Sequence, residues 1–150
     1  MKMNWVYRFA LSVLFLLLLG PPPTHAQDLN LAVIGNGKGV PAEMKLAQLK
    51  STMRGEKLRW PDGSKVVIAL LKTTTPIGQS TSKKIYNMSA NELNKYWLAL
   101  VFQGKADAPN FFNSEAELQE FVATTTGAIG VVNQPAPNSK TITIEGKKSL

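Results

Sequence analysis

Short, nearly continuous apolar runs alternate along the chain with longer stretches in which apolar residues recur every three or four positions. These are the spacings of buried strands and amphipathic helices. Residues 29–34 form the first run, which reads as a strand ended by Gly35-Asn36-Gly37. Met44, Leu46, Leu49 and Met53 predict a helix over residues 42–54, with Gly55 as its C-terminal cap. Residues 66–71 are almost wholly aliphatic, as in a strand covered on both faces. Residues 73–78 read as a loop, and a helix is expected to begin close to Ser80. Ser89-Ala90-Asn91-Glu92 has capping-box spacing, opening a helix to about residue 102 whose stripe is Leu93, Tyr96, Trp97, Leu100 and Val101. After an expected loop over 106–113, Ser114 to Glu117 repeats that spacing before a helix carrying Leu118, Phe121 and Val122. Residues 128–132 read as a buried strand, and 141–144 alternate as an edge strand should. Strands interleaved with helices predict an α/β domain with a central sheet and helices on its faces.

The segment Arg54-Gly55-Glu56-Lys57-Leu58-Arg59-Trp60-Pro61-Asp62-Gly63 joins the first helix to the aliphatic strand. Pro61 fixes its own φ and Asp62-Gly63 can reverse the chain, which sets Trp60 at the strand's edge. A tryptophan there reads as a buried lock on a helix-to-strand connection.

The beginning of the chain has a different pattern. Lys2 and Arg8 precede an apolar run over residues 9–19, then Gly20, three prolines and Thr24-His25-Ala26. This predicts a secretory signal peptide over residues 1–26 and one domain over 27–150. The run is short for a membrane span, and no cysteine follows it to carry a lipid. A cysteine-free exported domain without disulfides suits a periplasm.

The formal net charge of +7 is spread along the chain and not gathered in one block. That argues for a mildly basic surface that attracts small anions and against a nucleic-acid partner. Beyond His25 there is neither histidine nor cysteine, which removes the usual general base and thiolate nucleophile. No Gly-x-Ser-x-Gly or phosphate-loop pattern occurs, so the reading is non-enzymatic, with no cofactor and no metal. Glu115, Glu117 and Glu120 open a helix, where their charge offsets the dipole and faces solvent. What remains is anion binding. Gln79, Ser80, Thr81 and Ser82 would set hydroxyl and amide donors beside a helix N-terminus, with Lys72 the nearest strand-end cation. Ser80 or Thr81 serving only as an N-cap is the competing reading.

Three pieces, the Trp60-Pro61-Asp62-Gly63 turn with its preceding helix end, the strand leading to Gln79-Ser80-Thr81-Ser82, and Thr126-Gly127-Ala128-Ile129-Gly130-Val131, occur in an order that resembles the phosphate-type periplasmic substrate-binding proteins of ABC transporters. Phe102-Gln103-Gly104-Lys105 adds to a likeness with short, single-lobe relatives of that family. The resemblance implies a three-layer αβα single lobe of the type II periplasmic-binding-protein-like fold. It also implies binding of phosphate or a related oxyanion, and a partner that is an ABC transporter permease or a periplasmic sensor. Ser80-Thr81-Ser82 stands where the family has Ser-Gly-Thr, and no arginine stands near Pro76. The family's second lobe has no counterpart, so a homodimer or another protein would have to complete the cleft. A lobe that has lost its ligand and serves as a protein-interaction or sensory module is the alternative.

Overall fold

A computed structural model describes residues 29–150. The expected signal peptide over residues 1–26 lies outside them. Six strands form one sheet: β1 (Ala32–Gly35), β2 (Glu43–Met44), β3 (Val67–Leu71), β4 (Asn110–Phe112), β5 (Ala128–Val132) and β6 (Thr141–Ile144), in spatial order β2-β6-β1-β5-β3-β4. The trio β4, β3 and β5 is parallel, β1 runs antiparallel to both β5 and β6, and β2 runs parallel to β6. The helices are α1 (Leu46–Met53), α2 (Pro76–Thr81), α3 (Ala90–Phe102) and α4 (Glu115–Thr124). Helix α2 continues into a π-helical turn, Ser82–Tyr86. Among the described residues no helix is long and apolar enough to cross a membrane.

Strand alternation sorts the core into two layers. Leu31, Val33, Leu70, Ile129 and Ile142 face α1, the π turn and α3, where they meet Leu49, Ile85, Leu93 and Trp97. The alternate residues Ile34, Ala69, Leu71 and Val132 face Leu118 and Val122 of α4. Both faces of the central strands are thus dry, which is why their sequences read as unbroken apolar runs. The expected three-layer α/β lobe is the one observed.

Local signals mark the helix ends. At the end of α1, Gly55 adopts φ +76°, its N–H donates to Thr52 O, and the N–H of Glu56 donates to Ser51 O, the paired bonds of a Schellman cap. Ser89 Oγ accepts from Glu92 N while Glu92 accepts from Ser89 N, the reciprocal box expected at the start of α3. Those bonds hold the exposed Glu92 carboxyl below its ordinary value. Ser114 caps α4 through Glu117 N.

Four expectations need correction. Helix α1 begins at Leu46 and not near residue 42, because Glu43 and Met44 pair with Thr143 and Ile144. That short strand covers β6, which therefore lies inside the sheet and not at its edge. Residues 110–112, expected in a loop, add β4 to the other side of β3. The helix expected to begin near Ser80 begins at Pro76, inside a stretch expected to be loop: Thr75 is its N-cap, accepting from Gly78 N, and proline occupies the first turn.

Trp60 is buried as expected. Its Nε1 donates to Gly127 O at 2.8 Å, and the same carbonyl accepts from Val67 N at 3.1 Å. Gly127 has φ +75°, and a Cβ there would stand 2.1 Å from Lys65 O. A side chain is therefore excluded by both conformation and space. On the same face, Tyr86 Oη donates to Met53 O and Tyr96 Oη to Arg54 O, giving partners to carbonyls at the end of α1. Arg54 returns a bond from Nη2 to Tyr86 O, and the ring of Trp97 meets both tyrosines edge-on.

Replacing Trp60 by Phe removes one of two bonds to a buried carbonyl and should cost about 1–3 kcal/mol. Gly127→Ala should cost more, since backbone must move. Urea denaturation that ranks them the other way would contradict this account of the turn. Burial raises the Tyr86 phenol far above its ordinary 10.0. The native state then keeps a proton that the unfolded chain loses, so stability should fall as pH rises above about 10. Tyr86→Phe should flatten that fall in pH-dependent unfolding.

Candidate functional site

The carboxyl ends of parallel strands are where open α/β sheets place ligands, because loops diverge there and helices start. Here that edge is formed by β3, β4 and β5. Leu71 pairs with Phe112, and Ala69 with Gly130, so the next positions along the three strands are Lys72, Asn113 and Asn133. Neighbouring strands lie about 4.8 Å apart, which gathers these residues on one rim. Lys72 directly follows β3, as expected, and is exposed. Its backbone is fixed: Lys72 N donates to Phe112 O, and Lys72 O accepts from Thr75 N and Thr75 Oγ1.

The start of α2 packs hard against this strand end. A Cβ on Gly78 would lie 2.1 Å from Lys72 O, so only glycine lets the first turn come so close. That docking also uses up donors. Thr75 N is bonded to Lys72 O, Pro76 has no N–H, Gly78 N goes to Thr75 Oγ1 and Gln79 N to Thr75 O. Little of the helix mouth is left for an anion.

The row expected at that mouth lies elsewhere. Gln79, Ser80 and Thr81 occupy the later half of α2, and Ser82 opens the π turn. Gln79 is exposed, Ser80 half-buried and Thr81 buried. Ser82 is 0% exposed and clamps the chain ahead of α3: its Oγ donates to Met88 O at 2.8 Å, and its carbonyl accepts from Met88 N at 3.1 Å. The competing reading, Ser80 or Thr81 as an N-cap, does not hold either, since both lie in the later half of α2. The capping role itself belongs to Thr75. The signal for that cap, Thr75 followed by Pro76, was present in the sequence.

The rest of the rim is occupied by the chain's own carboxylates. Glu115 Oε2 accepts from Asn133 N at 2.9 Å and Gln134 N at 3.0 Å, and Glu117 Oε2 accepts from Asn113 N at 3.2 Å. These backbone N–H groups at strand ends are the donors an oxyanion would use. The glutamates read as a solvated helix start are thus part of the rim, with contacts 18 residues away in the chain. Gln119 adds a further clamp, accepting from Ala136 N and Ser139 Oγ. The groups left to meet a solute include the Lys72 ammonium, the hydroxyls of Thr73 and Thr74, and the backbone N–H groups of Thr73, Thr74 and Ile77. Among the described residues, no three His, Cys, Asp or Glu side chains come together to hold a metal ion.

Ser82→Ala should lower stability by about 1 kcal/mol, the worth of a buried hydrogen bond, and leave any response to anions unchanged. Thermal unfolding and an anion titration on the same variant check both halves.

No protein-family model and no curated protein matches the sequence. Solved structures do match in fold. The crystal structure of an ABC-type phosphate transport receptor from Vibrio cholerae aligns with TM-score 0.63 and 15% identity, covering 81% of this chain and 48% of that one. A phosphate ABC transporter substrate-binding protein with bound phosphate from Clostridium perfringens aligns with TM-score 0.60 and 12% identity, covering 80% and 46%. PstS from Borrelia burgdorferi gives 0.58 and 14%, covering 79% and 48%. The chain spans about half the length of the structures it matches, and its fold is that of one part of these receptors.

Proposed function

We propose that this chain is a non-enzymatic, solute-binding-type lobe for phosphate or a related oxyanion, acting in the periplasm and serving an ABC-type permease. The observation that carries the reading is the likeness of about four-fifths of the chain to phosphate receptors, one of them solved with phosphate bound. The strand-end rim with Lys72 supports the location. Of the residues expected to bind, Lys72 stays in the proposal on the rim, and Gln79 and the half-buried Ser80 stay only as its neighbours on α2. Thr81 and Ser82 support it only by shaping the turn.

A second reading has its own support. Glu115 and Glu117 already hold the rim's backbone donors, which fits a lobe that has given up its ligand for an interaction or sensory role.

The two readings differ in a phosphate titration followed by amide chemical shifts at low salt. Anion binding predicts shifts centred on residues 72–75, a dissociation constant weaker than about 1 mM because exposed ion contacts contribute only about 0–1 kcal/mol each, and loss of the response in Lys72→Ala. Absence of localised shifts, or equal shifts with chloride, would leave only the second reading.

A further inference from the structure

We propose that the basic groove at the amino-terminal end of β3 is a docking site for an acidic protein segment that carries an apolar anchor. The surface is independent of the anion reading, since it lies at the opposite end of β3 from Lys72. It is a groove of about 550 Å³ between the segment leading into β3 and the loop that follows α3. Lys57, Arg59, Lys65 and Lys105 line it, and the acid among its lining residues, Asp107, is already paired with Lys65. Arg59 Nη1 donates to Gly63 O, which steadies that side chain on the rim. Glu56 is the acid that flanks Lys57 in sequence.

The apolar part is concentrated in the same place. Leu58 and Val101 line the groove while 54% and 41% exposed. Leu98, 67% exposed, shares a helix face at three-residue spacing with Val101 and at four-residue spacing with Phe102, which is 91% exposed. Among the described residues these are four of the five large apolar side chains left in solvent, the fifth being Phe111. Two exposed apolar side chains inside a groove lined by cations, continued by Leu98 and Phe102 on the same helix, match the apolar centre and polar rim of an interface.

Charge complementarity selects the occupant. A second copy would bring the same four cations to the contact and be repelled. A bilayer surface is flat, whereas the cations surround a concavity. An extended segment with carboxylates on either side of a leucine or phenylalanine matches both the ring and the centre.

The test uses the purified chain and a fluorescent synthetic peptide alternating glutamate with leucine and phenylalanine. Binding should weaken with added salt and be absent for the same peptide with lysine in place of glutamate. Phe102→Ser and Lys105→Glu should each weaken it roughly tenfold or more, with unchanged near-ultraviolet circular dichroism. Both are surface positions, so the fold should survive. No binding of the acidic peptide overturns the proposal. So does binding that ignores both substitutions. Association with phosphatidylglycerol vesicles that is lost in Phe102→Ser, without peptide binding, would assign the patch to a membrane surface. A shift to dimer in light scattering that Phe102→Ser abolishes would assign it to a second copy.

Discussion

The carbonyl of Gly127 accepts from the Trp60 indole and from Val67 N, so one buried oxygen uses both lone pairs to join the turn before β3 to the start of β5. Gly127 N in turn donates to Lys38 O, and Gly39 lies where a side chain would strike Ser64 and Trp60. Three segments distant in sequence therefore meet at one small, rigid point. Inside a core such bonds are strong because no water competes, and losing one leaves a desolvated carbonyl short of a partner. The alignment of β3 with β5 sets the register of the central trio. The trio in turn sets which residues stand together on the rim, so the candidate site inherits its geometry from a tryptophan at the far end of the strands.

A second tie works on the helical layer above. The last turn of α1 leaves carbonyls without helix partners on a face covered by α3 and the π turn, buried at Met53 and partly buried at Arg54. Two tyrosine hydroxyls supply the missing donors, and Arg54 answers with a bond to Tyr86 O. The π turn is part of this arrangement. By widening the helix after Thr81 it buries Ser82, Ile85 and Tyr86, and Asn87 at φ 55° then releases the chain toward α3. Ser82 is therefore committed twice to Met88. Its hydroxyl could reach a solute only by opening the turn that positions Tyr86.

What was legible in the sequence was what neighbours in the chain decide. The capping box at Ser89, the glycine cap at Gly55 and the burial of β3 and β5 are local patterns that appear as read, while at Ser114 only half of the expected box forms, because the Glu117 carboxylate accepts from Asn113 N instead of Ser114 N. What was not legible depends on partners far away. Glu43 and Met44 look like a helix start until Thr143 and Ile144 arrive beside them. Residues 110–112 are two aromatics and an asparagine that become a strand only because β3 offers an open edge. Glu115 has the profile of an ordinary first-turn acid, and nothing near it announces Asn133 and Gln134. The start of α2 is the exception, since Thr75-Pro76 is a local signal. There the hydroxyl row that follows drew the helix boundary four residues too late, and the proposed ligand groups moved with it.

The electrostatics of the rim follow from that count of donors. A carboxylate attached to α4 is held against its two N–H groups without the entropy loss a free solute pays, so any solute oxyanion would have to displace an anion that is already there. The remaining side-chain partners, one ammonium and two hydroxyls open to solvent, contribute at most about 1 kcal/mol each. Those three side-chain contacts alone fall short of the roughly 4 kcal/mol that a millimolar dissociation constant represents. The net charge of +7 helps only at a distance, and physiological salt screens it beyond about 8 Å. An oxyanion held firmly on this lobe would therefore need a covering surface to exclude water and supply further donors. The weight of the functional question shifts from the residues of the rim to whatever closes over them.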